Sequence, residues 1–458
     1  MEIKNAKGTH DIYGKETDLY RGIVNVFSVL ATVYNYKEVI TPTIEPSELF
    51  QRSVGESSDI VRKEMYSFLD KGGRSISLRP EFTASIVRTF VQYKMYATEE
   101  LPVKMFYHGP AFRYERPQLG RYRQFHQMGV EALGSSSYLV DAEVITLAYD
   151  VLCNLGLKDY VSLKINSLGD EVSRNNYREA LKNHFAKYID NMCDDCKERL
   201  KLNPLRILDC KVQSDHQYID LAPKMNDFLT DESKNRFDKL VNALNDLEIP
   251  YEIDDELVRG LDYYSETVFE FHFHSKDGTD IGAIGAGGHY SNLINEIGGP
   301  KLEGVGFSFG IERLINVLSQ INNRELLSQF ESPLQVYVMP LGEEKVKLEA
   351  FEISLALRQS GLQTEVCYDN AKLSNMFKRA EKKNAKIALI IGEDEIKQNI
   401  VQLKNMETKE QISVSYDDLV ETIYNLLGYG NEDCCCEHSH DECDCHHEHN
   451  DNCCCNKK

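Results

Sequence analysis

The chain reads as a mixed α/β protein with two folded parts. The first is an α+β core, an antiparallel sheet flanked by helices; the second is a smaller α/β domain with a mixed sheet. Three observations predict this. Residues 105–134, MFYHGPAFRYERPQLGRYRQFHQMGVEALG, alternate as two strands around a loop of Arg, Pro, Gln and Gly. Residues 171–245 are helical by period, an insertion before the sheet resumes. From Leu334 the pattern restarts as strand, helix, strand, helix, strand, the order of a sheet with parallel neighbours.

Composition bounds the function. With 458 residues there is room for two or three cores, and 42% apolar with 27% charged residues is ordinary for a globular protein. The first residues, MEIKNAKGTHDIYGKE, hold no apolar core of signal-peptide length, and no apolar run could span a membrane, so a cytoplasmic soluble protein is expected. Of 13 cysteines, eight lie in the last 25 residues; the other five, widely scattered, fit a reducing compartment. A net charge of −21 argues against a general polyanion binder. Residues 430–458 hold eight acids and two lysines, a net −6, so the body still carries about −15. Any nucleic acid must therefore meet local basic patches.

Taken in order, residues 17–36 carry Leu19, Ile23, Val26, Phe27, Leu30, Val33 and Tyr34 at helical spacing, and YKEVITP reads as a strand ended by Pro42. In SLRPEFTASIVRTF, Pro80 opens a helix with Glu81 and Thr83 in its first turn, either as plain caps or facing a ligand. In the hairpin, residues two apart share a face. Arg113 then lies with Glu115, and Gln127 with Glu131, with Gly129 leaving open space; His126, Met128, Val130 and Ala132 suit the core. Such a face serves solvent, or a zwitterion with an anionic partner. Arg113, Arg116, Arg121 and Arg123, within eleven residues, favour phosphate.

Residues 138–157 form a helix, and VSLKINSLGD a strand and turn. The insertion contains Cys193, Cys196, Cys210 and His216, a candidate Cys3His zinc set, although no second CxxC follows. Arg259 is expected just after a strand, with Gly260 allowing tight approach; Tyr263 and Tyr264 suit core or pocket. Glycines at 278, 282, 285, 287 and 288 match neither a P-loop nor a dinucleotide fingerprint, yet permit a ligand to come close. GVGFSFG followed by IERLI is strand, turn, helix, with Arg313 in the first helical turn beside free N–H groups.

Residues 316–332 read as helix and linker. The second domain then takes strands at LQVYVMPLG, TEVCYD and KIALIIG, helices at 343–360 and 374–385, two more strands within 400–414 and a helix at 416–427. The tail, 430–458, lacks any apolar period and should be disordered without metal. Its candidate ligands are Cys434, Cys435, Cys436, His438, His440, Cys443, Cys445, His446, His447, His449, Cys453, Cys454 and Cys455, a soft set for Zn(II), Cu(I) or Ni(II), or else an idle tail.

FRYER…GRYRQFHQ…E resembles motif 2 of class II aminoacyl-tRNA synthetases, and in detail that of the histidyl-tRNA synthetase family. LVRGLDYYSETVFEF at 257–271 is similar to that family's own signature, and GVGFSFGIERLI at 304–315 to class II motif 3. The resemblance runs from the first residues to about Gly428. It implies a class II catalytic domain over 1–325 with an insertion near 171–245, and an anticodon-binding domain over 333–428. It further implies a homodimer joined through the first long helix and strand, with L-histidine, tRNA(His), ATP and Mg²⁺ as substrates and cofactor.

On the same ground Arg113 and Arg259 are the catalytic pair at the α-phosphate. Histidine would be held by Glu81, Thr83, Arg113, Gln127, Glu131, Arg259, Tyr263 and Tyr264, and ATP by Arg113, Glu115, Arg121, Phe125 and Arg313. One departure is visible: many members carry Gly where this chain has Phe82. A second reading is the synthetase-like regulatory subunit of ATP phosphoribosyltransferase, which binds histidine and charges no tRNA. The C-terminal α/β domain and the presence of Arg113, Arg259 and Arg313 speak for the enzyme.

Overall fold

The structure, a computed structural model, describes residues 3–55, 58–117, 120–208, 210, 212–274 and 282–429. The chain folds as two compact units, Met1–Glu331 and Ser332–Lys458. The strands of the first are β1 (Lys37–Glu38), β2 (Ile44–Pro46), β3 (Tyr66–Leu69), β4 (Ser75–Leu78), β5 (Val103–Phe112), β6 (Gln124–Leu133), β7 (Val161–Ser167), β8 (Glu252–Ile253), β9 (Ser265–Phe273), β10 (Ala283–Tyr290) and β11 (Gly304–Gly310).

Eight of them form one sheet in the order β1-β5-β6-β11-β10-β9-β7-β8, antiparallel except at its two ends; β2, β4 and β3 form a small second sheet. The β5–β6 hairpin pairs from Val103↔Leu133 to Phe112↔Gln124. Alternation then splits β6 by face. Met128, Val130 and Ala132 join the main core beneath helices Lys15–Val33, Tyr138–Asn154 and Ile311–Ile321, while Gln127 and Glu131 point to the other side.

Four local expectations need correction. β5 stops at Phe112, because Tyr114 N–H turns to Glu64 O (2.7 Å), so Arg113 and Glu115 lie in the loop rather than on a strand face. No open space surrounds Gly129: a Cβ there would sit 2.2 Å from Phe307 O and 2.6 Å from the Tyr107 hydroxyl. The strand before Pro42 shrinks to Lys37–Glu38. Arg259 lies not directly after a strand but in the loop joining β8 to β9, and a Cβ on Gly260 would meet nothing within 4 Å.

The insertion is helical as expected, with helices Glu171–Phe185, Asp194–Leu202, Gln213–Ile219 and Asp231–Asp246. Its own small core gathers Tyr177, Leu181, Phe185, Ile207 and Met225 around Cys196 and Cys210. The last of these helices instead sends Phe237, Leu240 and Leu244 into the main core.

The second unit has β12 (Val336–Leu341), β13 (Thr364–Val366), β14 (Ile387–Gly392), β15 (Ile400–Asn405) and β16 (Gln411–Ser415), ordered β13-β12-β14-β15-β16. The first three neighbours are parallel and the last two pairs antiparallel, the mixed sheet that was expected. Val336–Met339 and Ile387–Ile391 are buried on both faces, as central parallel strands must be. Among the described residues no helix is long and apolar enough to cross a membrane.

Candidate active site

The open face of the large sheet floors a cavity of about 660 Å³. Every residue assigned to the histidine or ATP site lines it: Glu81, Thr83, Arg113, Glu115, Arg121, Phe125, Gln127, Glu131, Arg259, Tyr263, Tyr264 and Arg313. Arg116 and Arg123 do not; the Arg123 guanidinium stacks 3.7 Å above Tyr114.

Glu131 is the most deeply buried acid of the group, 1% exposed. Its Oε1 accepts from the Thr83 hydroxyl at 2.7 Å and the Tyr107 hydroxyl at 3.3 Å, and its Oε2 from Tyr290 at 2.7 Å. Burial pushes its carboxyl up to about 8, with Glu81 adding to the rise and the three hydroxyls opposing it. Glu81 caps the helix Thr83–Gln92, accepting from Thr83 N (2.6 Å) and Ala84 N (2.9 Å), so the capping role is realised while the residue still faces the cavity. Phe82 is buried, stacked on Tyr107 (4.5 Å, 10°) under the Arg79 guanidinium (3.8 Å), which gives the unusual ring a packing role.

Guanidiniums crowd the other end. Burial, then repulsion from Arg121 and Arg113, pulls Arg313 below its usual pKa, against the opposing effect of Glu115 and Glu270. Arg313 donates to Ala283 O, and Arg113 donates to Pro80 O (2.9 Å) with its guanidinium 5.3 Å from the Phe125 ring. Arg259 pairs with Glu270 and lies 5.3 Å from the Tyr264 ring; Glu270 raises its pKa against the opposing effect of burial. Two buried polar atoms in this wall, Arg259 Nε and Gln127 Oε1, have no hydrogen-bond partner among the described residues. Such atoms are costly unless a ligand meets them.

Sequence reasoning missed five acids that line the cavity: Asp59, Glu64, Asp195, Glu270 and Glu312. Glu312 clamps His126, accepting from its backbone N (2.9 Å) and meeting Nδ1 at 2.8 Å. Its position beside Arg313 was the available signal. Glu270 lies in the quoted 257–271 stretch, but its pairing with Arg259 needs the fold; nothing in the pattern marks Glu64.

The expected zinc set is altered. Cys193, Cys196 and Cys210 do converge, but the fourth group is Asp215. His216 turns its Nε2 to the Cys210 carbonyl oxygen (3.0 Å) and is occupied there. The thirteen tail ligands, within 434–455, lie outside the described residues.

An antiparallel floor that sets a cationic cluster against a buried acid, in a chain with a separate mixed-sheet unit, is the layout of an aminoacyl-tRNA synthetase. The family model described as histidyl-tRNA synthetase matches residues 8–314, and the one described as anticodon binding domain matches 335–426. A histidine–tRNA ligase of Bacillus velezensis is 45% identical over 419 residues, 91% of this chain and 97% of the relative. An apo histidyl-tRNA synthetase of S. aureus superposes with a TM-score of 0.78 at 37% identity, covering 92% of this chain and all of the other. A Bacillus halodurans C structure described as an ATP phosphoribosyltransferase regulatory subunit/histidyl-tRNA synthetase gives 0.60 at 20% identity, covering 86% and 98%, a likeness of fold alone. The chain belongs to the histidyl-tRNA synthetase family.

Proposed function

We propose that the chain is a histidine–tRNA ligase of the class II type that works as a cytoplasmic homodimer, activating L-histidine with ATP and transferring it to the 3′ end of tRNA(His). The observation that carries this is the joining, in one cavity, of the Arg113–Arg121–Arg313 crowd to the buried Glu131, with Arg259 and Gln127 each holding an unpaired atom between them.

In the first step a histidine carboxylate oxygen attacks the α-phosphorus, and the bond to the bridging α–β oxygen breaks. Pyrophosphate leaves with the electron pair and histidyl-adenylate remains. The protein's work is positioning and charge neutralisation. Arg113 and Arg259 hold the α-phosphate, Arg259 exchanging Glu270 for it, and Arg313 with Arg121 holds the far phosphates. Glu81, Thr83 and Gln127 orient the α-amino group, while Glu131 and Tyr264 meet the ring nitrogens and Tyr263 closes the wall. Phe125 lies where the adenine ring stacks. Glu64, Glu115 and Glu270 would supply hard oxygen donors of the kind Mg²⁺ takes. The Glu64 carboxyl is raised by burial, with Arg113 opposing the rise and Glu115 adding to it. A cation held by the three carboxylates would supply neutralisation of phosphate charge. In the second step a ribose hydroxyl at the tRNA end attacks the carbonyl carbon, AMP leaves, and the hydroxyl proton passes to the departing phosphate.

A pocket that pairs both ring nitrogens leaves buried groups unsatisfied with most other amino acids, a mismatch worth roughly 10⁴–10⁵ in discrimination. Unit Ser332–Lys458 reads the anticodon, and the tail beyond 430 is a soft-metal ligand set. ATP–pyrophosphate exchange with each of the twenty amino acids, then tRNA charging with the one that responds, tests the assignment. Exchange should answer to histidine and be crippled by Glu131→Ala. Histidine binding with no exchange would favour the non-catalytic regulatory-subunit reading; exchange without subsequent charging would defeat the second step.

A further inference from the structure

We propose that Cys193, Cys196, Cys210 and Asp215 form a structural zinc site, and that the metal fixes the segment bracing the Arg259 loop. Their ligand atoms all lie within 4.8 Å of one another. Cys193 Sγ and Cys210 Sγ are 3.8 Å apart. A tetrahedral centre with Zn–S of about 2.3 Å requires an edge of about 3.8 Å between sulfurs. Three soft thiols and one carboxylate suit Zn²⁺ rather than a harder cation.

Packing alone accounts poorly for this group. Asp215 is 1% exposed, yet its carboxylate forms no ion pair among the described residues; it faces Cys193 N (3.0 Å), Ser214 Oγ (3.4 Å) and the three thiols, that of Cys210 at 3.5 Å. A buried carboxylate with no cation is expensive, and a divalent metal supplies the charge. A disulfide would join two of the thiols and strand the third.

Cys193 stands at the N-cap position of helix Asp194–Leu202, without a side-chain capping bond, and Cys196 lies in its first turn, where the helix dipole favours negative charge. Val212 N–H points at Cys210 Sγ (3.4 Å). His216, holding the Cys210 carbonyl, fixes the ligand loop from behind. On binding, each thiol releases its proton to solvent.

The chain between Cys196 and Cys210 reaches the active site. Asn203 Nδ2 donates to Asp262 Oδ1 (3.0 Å), Arg206 Nε to the same oxygen (3.2 Å), and Arg206 also to Gly260 O. These contacts flank Arg259 on its C-terminal side. Because Cys196 and Cys210 are themselves members of the insertion's core, a metal there would tie the Cys193–Cys196 and Cys210–Asp215 segments to each other.

The test uses the full chain with its eight tail cysteines changed to Ser. Dialysed protein should retain one Zn²⁺ per chain, and Co²⁺ in its place should give the thiolate charge-transfer and intense tetrahedral d–d bands. Adding Cys196→Ser should remove both; adding Asp215→Cys instead should keep the metal. The zinc lost between the parent chain and the tail variant measures what the tail thiols hold. Stripping the site should slow histidine-dependent exchange by on the order of tenfold to a hundredfold. That last arm rests on the proposed role of Arg259; the stoichiometry does not. No retained metal, metal indifferent to Cys196→Ser, or a Cys193–Cys210 disulfide in the isolated protein would overturn the site, and an unchanged exchange rate after stripping would overturn the bracing.

Discussion

Glu131 receives three hydroxyl donors and still titrates near 8, because neutral hydroxyls replace only part of the hydration a carboxylate loses on burial. The sign follows directly. Its folded pKa lies above the unfolded value of 4.5, so its favourable contribution is complete below about pH 4.5 and is lost as pH climbs through about 8. Ligand-free Glu131→Gln should therefore gain on the parent protein, by a few kcal/mol, as pH is raised from 4.5 to 8 in urea unfolding. A constant difference across that window would refute the buried, proton-holding state. Gln127 and Glu131 were legible as a pair from strand period alone. The clamps Glu270 and Glu312 were not, since each finds its partner across a loop or a neighbouring strand.

At the scale of elements, closeness of β11 to β6 is what lets Glu131 reach Thr83 and Tyr290. A Cβ on Gly306 would stand 1.9 Å from Glu131 Oε2 and 2.4 Å from Val130 O. Both strands are held in register there, Gly306 opposite Glu131, so neither can retreat far. Gly306→Ala should lower kcat/KM for histidine in exchange by about a hundredfold or more while far-ultraviolet circular dichroism stays unchanged. Near-parental kinetics would show that the acid can move at little cost. Long periodic elements were readable from the sequence, as the β5–β6 hairpin, the insertion helices and the central strands of the second unit demonstrate. Two-residue β1 and the loop that carries Arg259 were not, because too few residues repeat to show a period and their path depends on partners from elsewhere in the chain.

For the molecule as a whole, each unit has its own buried clusters, around Phe106 and Phe307 in one and around Val338 and Leu389 in the other. Each should therefore fold without its neighbour. Residues 1–331 alone are expected to keep histidine-dependent exchange and to charge tRNA at least tenfold less efficiently than the full chain. Equal charging by the fragment would remove any need for the second unit in tRNA selection. The two-part plan was visible because the hydrophobic pattern restarts at Leu334. The net charge of −21 gave no hint of the guanidinium cluster, which is a local arrangement that a global sum conceals.

That cluster has a chemical consequence. Arg313 is held below its usual pKa by burial and by the guanidiniums beside it, so any anion that enters relieves the same repulsion. On the proposed assignment, pyrophosphate leaving the adenylate meets the same guanidiniums that ATP met at that end, so they favour the reverse direction as well as the forward one. Net progress toward charged tRNA then depends on removal of that product from the surrounding solution.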